Sequence, residues 1–512
     1  MPAAPETAGI TAAKLPSQRG GGRTAAARAR AAVAGPGHYW VRLLPVLTVV
    51  VALTRLPSFL RPIWNPDEGF LATQARMLAH GGVLYDTVVD RKPPLVPWLY
   101  EGAFWLFGHS SLWPLRGTAV LAQLVTAALL AALARRRWGD RSGAAAGIGY
   151  LLISIGLAPE DSQAATFEVF MLPWTVAAFV CADRLRGPRP GPAMRWGALA
   201  GLAVAGAALT KQTGGAVLLP VGWLLWRSAP RRARATAGLA VGFLAPLVAV
   251  ALAVGPQRFL FWTVTGSGSY ASASGAWLVA AGRALGNTGI LAAACAGVVV
   301  PAVYLLARRR RFAESDLWIW LAASAVAVAT GFQFYGHYYL QLLPPLVLLG
   351  VAALRRLPRW RRPAAAWTAL AACGFLVWGL AAPRGDLDHA SKVASAIASR
   401  TAPGETVLVW GMHPEDYWLS DRAPASRYLT AGFLTNFSGG RGGARVGERY
   451  AVPGAWRAFR QEVARRPPAL IVDDSRGRPY GPARIPGFGG LLAAGYQRAA
   501  TADGAVLYVR RS

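Results

Sequence analysis

The chain has 512 residues, 54% of them hydrophobic and only 15% charged, and its 54 Lys and Arg against 24 Asp and Glu leave a net charge of +30. In a soluble protein so basic a balance would point to nucleic acid, but here the basic residues sit in short clusters between apolar runs, as in loops held on the cytoplasmic side of a membrane. A soluble globular fold and a nucleic-acid partner are therefore set aside, and Cys181, Cys295 and Cys373, each inside an apolar segment, exclude a disulfide framework or a cysteine-based metal site.

Residues 1–40 are rich in Ala, Gly, Pro and Arg with few large apolar residues, which predicts a disordered cytoplasmic tail before an uncleaved first span. Apolar stretches of bilayer length predict eleven spans, at 41–60, 117–134, 143–159, 166–182, 196–210, 212–226, 235–254, 287–307, 317–334, 338–354 and 364–382. With the N-terminus inside, the inner loops carry the clusters from Arg135, Arg184, Arg227, Arg308 and Arg355. The outer segments are 61–116, 160–165, Lys211, 255–286 and 335–337, with few basic residues and most of the acids. Residues 95–108 are apolar but short and carry Glu101. They are read as a helix lying in the outer interface, with Trp98, Tyr100 and Trp105 at headgroup level.

The 61–116 loop is long for a connector, which marks it as functional. It opens Asn65-Pro66-Asp67-Glu68-Gly69, where Asn65 suits an N-cap, Pro66 the first helical position and Glu68 a capping box. Asp67 is left over, a carboxylate at a helix start able to serve as general base. Asp90-Arg91-Lys92-Pro93-Pro94 then fixes Lys92 before a stiff pair at the depth of a lipid phosphate. Only four lysines occur in the chain, so Lys92 and Lys211 stand out against arginine.

The second outer loop holds Glu160 and Asp161, either of which suits a solvated loop, and then Glu168 at the outer end of a span, where an acid is costly unless it faces a polar cavity. Lys211 is the sole charge between two apolar runs and reads equally as a phosphate ligand or as a hairpin marker. His337, in Tyr335-Gly336-His337-Tyr338-Tyr339, is a further phosphate partner or part of an aromatic belt. Acids and cations thus converge on one membrane face from four loops, which suits departure of a lipid phosphate together with activation of an acceptor. Residues 383–512 change character: a helix near 390–400 and strand-like runs at 406–410, 469–472 and 505–509 predict a small extracytoplasmic α/β domain.

The ordered set of Asp67-Glu68, Lys92-Pro93-Pro94-Leu95, Glu168 and Tyr338-Tyr339-Leu340-Gln341-Leu342-Leu343-Pro344 resembles the C-type membrane glycosyltransferases over about residues 41–360. Protein O-mannosyltransferases (glycosyltransferase family 39) and the bacterial aminoarabinose transferases of lipid A are the nearest in pattern. The resemblance implies an α-helical polytopic enzyme of about 11 transmembrane helices in the cell membrane, N-terminus cytoplasmic. It would move a hexosyl or pentosyl group, with inversion, from a polyprenyl-phosphate sugar to a protein, lipid or polysaccharide acceptor. Asp67, beside Glu68, becomes the catalytic base or acceptor-orienting acid, Glu168 the second acid with Asp161 a possible addition, and Lys92, Lys211 and His337 the donor-phosphate ligands. Beyond membrane lipids and the donor no cofactor is implied, and no catalytic metal, although paired acids are able to hold a divalent ion. The 383–512 domain matches nothing in protein O-mannosyltransferases. A transporter or flippase of lipid-linked sugars would place charge near the midplane rather than at one face, and an envelope-assembly scaffold would tolerate loss of Asp67.

Overall fold

The computed structural model describes residues 36–186, 192–267, 277–308, 314–438 and 445–511. The predicted tail lies outside these residues as far as residue 35. The chain divides after Val46, within the first helix, Pro36–Arg55, and the contacts below belong to the unit that runs from Leu47 onward.

Among the described residues seven helical runs are long and apolar enough to cross a membrane: His38–Leu60, Trp113–Trp138, Ala193–Thr210, Arg232–Val254, Trp277–Ala307, Gly336–Arg356 and one within Pro358–Ala398. The protein is thus a multi-pass membrane protein. The other four predicted spans fold as shorter helices, Asp140–Ile153, Phe167–Asp183, Leu218–Ser228 and Ser315–Ala329. The 212–226 run shortens because Gln212–Val217, with its glycine pair, winds as a tight 3-10 turn before Leu218 starts the α-helix.

The helices pack through small residues, as expected where lipid supplies no hydrophobic drive between them. Ala193–Thr210 and Arg232–Val254 each carry a Gly-x-x-x-Gly step, and a Cβ on Gly201 or Gly242 would lie 2.2 or 2.1 Å from a carbonyl oxygen of the other helix. At their basic ends three helices are tied together: Arg136 and Arg137 contact Asp183 at 3.0 and 2.9 Å, and Arg137 also reaches Asp316 at 2.6 Å. These basic termini therefore share one end of the bundle.

The loop 61–116 folds as two helices, Pro66–Ala79 and Leu95–Phe107. Asn65 caps the first by accepting from Asp67 N at 2.8 Å. The second leaves Trp105 and Phe107 exposed, as an interfacial helix should, but Tyr100 is fully buried and its hydroxyl donates to Ala165 O at 2.7 Å. Tyr100 therefore ties the 61–116 and 160–165 loops together and packs inside the protein instead of facing outward.

The C-terminal region forms one five-stranded sheet, of β1 Thr406–Trp410, β2 Ala423–Pro424, β3 Leu470–Asp473, β4 Tyr496–Ala502 and β5 Ala505–Arg510, in the order β2-β1-β3-β5-β4. β1 runs parallel to β2 and β3, whereas β5 is antiparallel to β3 and β4. The preceding helix, Gly385–Ala398, packs Val393 and Ile397 with Val407 and Leu470 in one buried cluster. Because β1 and β3 are parallel neighbours, their C-terminal ends, at Trp410 and Asp473, open on the same edge, where loops carry function in such sheets.

Candidate active site

A cavity of about 540 Å³ lies where the 61–116 loop, the 210–213 link and the sheet region meet, and Asp67, Asp90, Lys92, Lys211, Tyr338 and Met412 are among its walls. Asp67 stands half-buried in the first turn of the Pro66–Ala79 helix. Its backbone N–H serves the Asn65 cap, which leaves the carboxylate toward the cavity. Among the described residues that carboxylate makes no hydrogen bond or ion pair. Lys92 is in the same condition, its ammonium 5.6 Å from the centre of the Phe167 ring and without an ion pair among the described residues. An acid and a cation, each with unused capacity and both facing one cavity, are the geometry that acceptor activation and phosphate binding require.

Lys211 is the extended residue that breaks the Ala193–Thr210 helix. It is buried, pairs with Glu168, and lies 3.6 Å from the centre of the Tyr338 ring. Glu168 itself is 1% exposed and lies behind Lys211 rather than on the cavity wall. Glu168, expected as a second acid in the cavity, is placed against Lys211, whose ammonium is the group of this pair on the wall. Asp161 and His337 are likewise not on the wall. His337 Nδ1 lies 2.6 Å from Asp161 Oδ1, and the imidazole meets the Tyr338 ring edge-to-face at 4.9 Å. His337 is thereby placed behind Tyr338, which itself lines the cavity. A Cβ on Gly336 would approach Asp161 Oδ2 to 2.4 Å, so glycine is what allows the pair to close.

Glu68 departs furthest from its expected place. It is fully buried, with Oε2 accepting from Trp64 N at 2.8 Å and from Arg116 at 3.0 Å, and Oε1 accepting from Ala165 N at 2.8 Å. Arg116 also donates to Arg61 O and Pro62 O. Both carboxylate oxygens are committed to this knot between the 61–116 and 160–165 loops, which places Glu68 off the cavity wall. It is also not a capping-box acid, because it binds the residue before the cap.

Two contributions were not foreseen. Asp90, only 4% exposed, is on the cavity wall, and burial, partly opposed by Lys92, pushes its pKa up to about 6. The sheet region adds Met412, Pro414, Thr430 and Phe433. The signal available in the sequence was the Gly411-Met412-His413-Pro414 turn directly after the apolar β1 run, a loop at a strand's C-terminal end.

Residues 42–245 match the family described as PMT, dolichyl-phosphate-mannose-protein mannosyltransferase. No curated protein matches the chain. Among solved structures the chain is similar to ArnT from Cupriavidus metallidurans bound to undecaprenyl phosphate, at 18% identity over 92% of this chain and 98% of that one, with a TM-score of 0.61. The apo form of that protein gives 18% identity, 92% and 97% coverage and a TM-score of 0.59. The archaeal oligosaccharyltransferase AglB from Archaeoglobus fulgidus, in complex with an inhibitory peptide and a dolichol-phosphate, is similar at 12% identity over 93% of this chain and 74% of that one, with a TM-score of 0.52. The chain has the C-type glycosyltransferase fold, and the resemblance to the protein O-mannosyltransferase and aminoarabinose transferase families read from its motifs holds.

Proposed function

We propose that this protein is a glycosyltransferase that moves a sugar from a polyprenyl-phosphate-linked donor to an acceptor at the outer face of the cell membrane. The observation that carries the reading is the single cavity in which the Asp67 carboxylate and the Lys92 ammonium both face inward without a partner among the described residues, beside Lys211. The ArnT and AglB structures, each described with a polyprenyl phosphate, support a lipid-linked donor, and the family match supports glycosyl transfer.

In the proposed reaction an acceptor hydroxyl or amine attacks the anomeric carbon, the bond from that carbon to the phosphate oxygen breaks, and the lipid phosphate leaves with the electron pair. Asp67 takes the acceptor's proton or orients its lone pair. Lys92 and Lys211 stabilise charge as it grows on the departing phosphate, which a site partly closed to water makes stronger. This requires no metal. The phosphate's place between two lysines matches an eleven-span topology in which 61–116 and residues 383–512 lie outside the cytoplasm and the N-terminus lies within it. The acceptor, whether protein, lipid or polysaccharide, enters from the side walled by Met412 and Phe433.

The test is sugar transfer by purified, lipid-reconstituted protein given a panel of polyprenyl-phosphate sugars, with membrane extracts as acceptor. Asp67→Asn keeps size and polarity and removes the base, so transfer falls by about 10²–10⁴-fold while the thermal midpoint holds. Full activity in the variant, or no donor consumed by the wild type, sinks the reading and favours a lipid-sugar flippase.

A further inference from the structure

At the edge of the sheet whose Met412 and Pro414 line the cavity, three segments bring two histidines and an aspartate together. His389 comes from the helix Gly385–Ala398, His413 from the loop after β1, and Asp474 from the end of β3. Their ligand atoms all lie within 4.8 Å of one another, and this is the one such group among the described residues. His389 Nε2 is 3.1 Å and His413 Nε2 3.5 Å from the same oxygen, Asp474 Oδ2. In a tetrahedral zinc site with bonds of about 2.0–2.1 Å, ligand atoms stand roughly 3.3 Å apart. Both separations from Asp474 Oδ2 therefore already match an edge of such a site.

The surroundings are also those of a metal centre. The far nitrogen of each ring is held by a carboxylate, His389 Nδ1 by Asp503 at 2.9 Å and His413 Nδ1 by Glu415 at 2.9 Å. That arrangement fixes ring orientation and raises ligand basicity. Arg476 Nη2 lies 3.1 Å from His413 Nε2. A guanidinium only donates, so Nε2 accepts there and Nδ1 carries the proton toward Glu415, the tautomer that offers its lone pair outward. Arg476 is partly exposed and also contacts Asp474 Oδ1 at 3.0 Å, so it has room to withdraw.

Charge balance gives a second, independent indication. Glu415, Asp416 and Asp474 are all fully or almost fully buried within this corner. Both oxygens of Asp416 and Oε2 of Glu415 have no hydrogen-bond partner among the described residues. Buried carboxylates in this number are costly without compensating cations; Arg476 and the two imidazoles contact Glu415 and Asp474, and Asp416 has no ion pair among the described residues.

We propose that His389, His413 and Asp474 form a binding site for a divalent transition metal of zinc type, with Asp503 and Glu415 as the carboxylates behind the two imidazoles. Such a site would clip the 385–398 helix to the loops after β1 and β3. It would also fix the loop that runs from Met412 and Pro414 on the cavity wall to the helix Glu415–Leu419. That short helix lies against Pro66–Ala79 so closely that a Cβ on Gly69 would come within 2.2 Å of Glu415 Cβ, and Thr73 donates to Pro414 O at 3.2 Å.

The proposal is tested on the full-length protein in detergent, its affinity tag removed and its metal stripped by a chelator, then titrated with Co²⁺ and followed by visible absorption. Saturable binding of one Co²⁺ per chain, displaced by Zn²⁺, with a Zn²⁺-dependent rise in thermal midpoint, is the expected result. His413→Gln, at the least buried of the three ligands, should weaken Co²⁺ binding at least tenfold. No saturable absorption in the wild type, or unchanged affinity in His413→Gln with the thermal midpoint intact, overturns it and leaves His389 as a structural side chain hydrogen-bonded to Asp474 and Asp503.

Discussion

Two buried ion pairs lie beneath the 61–116 and 160–165 loops, and they are built to opposite specifications. In the Arg116–Glu68 pair every Glu68 oxygen and two of the Arg116 donor groups are used, with backbone groups from Arg61, Pro62, Trp64 and Ala165 completing the set. In the Lys211–Glu168 pair each side chain has the other as its ionic partner, Glu168 Oε2 lacks a hydrogen bond among the described residues, and the ammonium reaches a cavity. The first has its carboxylate saturated and joins loops, with Arg116 Nε alone lacking a partner among the described residues; the second has carboxylate capacity to spare and faces the cavity. Burial and charge alone would rank them equal. Counting the bonds each group has left separates architecture from chemistry.

The largest effect that would break this contrast is on stability. Arg116→Met should cost about 3–5 kcal/mol, because it strands a buried carboxylate, and adding Glu68→Gln should not restore the loss, since the carbonyls of Arg61 and Pro62 remain without their donor. Lys211→Met should also destabilise. There the double variant Lys211→Met/Glu168→Gln should return to within about 1 kcal/mol of the wild type, since no backbone group depends on either side chain. Thermal midpoints of the four proteins decide it, and recovery in both doubles or in neither erases the distinction.

What was legible beforehand follows the same division. Asp67, Lys92 and Lys211 were visible because each is a charge that neither cap nor helix pairing accounts for, in a chain whose other cations are nearly all arginine. Glu68 was misread because a capping-box acid and an interloop anchor have one sequence signature, and only Trp64, Arg116 and Ala165, brought up by the fold, distinguish them. Glu168 reads as a costly acid at a span end and His337 as a phosphate partner or part of an aromatic belt, but the residues they contact, Lys211 and Asp161, lie 43 and 176 residues away. In the sheet, β1, β3 and β5 were readable as apolar runs. β2 has two residues, and β4, Tyr496–Ala502, is a mostly exposed edge strand without an apolar face to betray it.

A middle-sized effect sharpens the comparison by adding a third acid, Asp90, on the cavity wall with one oxygen lacking a hydrogen bond among the described residues. Its folded pKa of about 6 is above the ordinary 3.8. A raised carboxyl pKa means the folded protein holds the proton more tightly, so this contribution is complete below pH 3.8 and is lost as pH rises through 6. The gap corresponds to a cost on the order of 3 kcal/mol at neutral pH. Asp90→Asn should accordingly raise the thermal midpoint at pH 7.5 and leave it unchanged near pH 4. An equal gain at both pH values would mean that the carboxylate is not desolvated as its burial implies.

The smallest effect isolates a single cation. Lys92, unlike Lys211, has no ion pair among the described residues to lose, and its ammonium rests over Phe167. Its removal is therefore close to neutral for the fold and falls on the donor alone. Lys92→Met should weaken binding of undecaprenyl phosphate about tenfold, roughly 1.4 kcal/mol, while the thermal midpoint of the ligand-free protein stays within the scatter of replicate measurements. Because a point charge rather than a shaped fork is what the position supplies, Lys92→Arg should recover part of the affinity and high salt should weaken the wild type toward the methionine variant. Unchanged binding in Lys92→Met would place the lipid phosphate on Lys211 alone, and the saturation rule would then have failed at the one residue with the most capacity left.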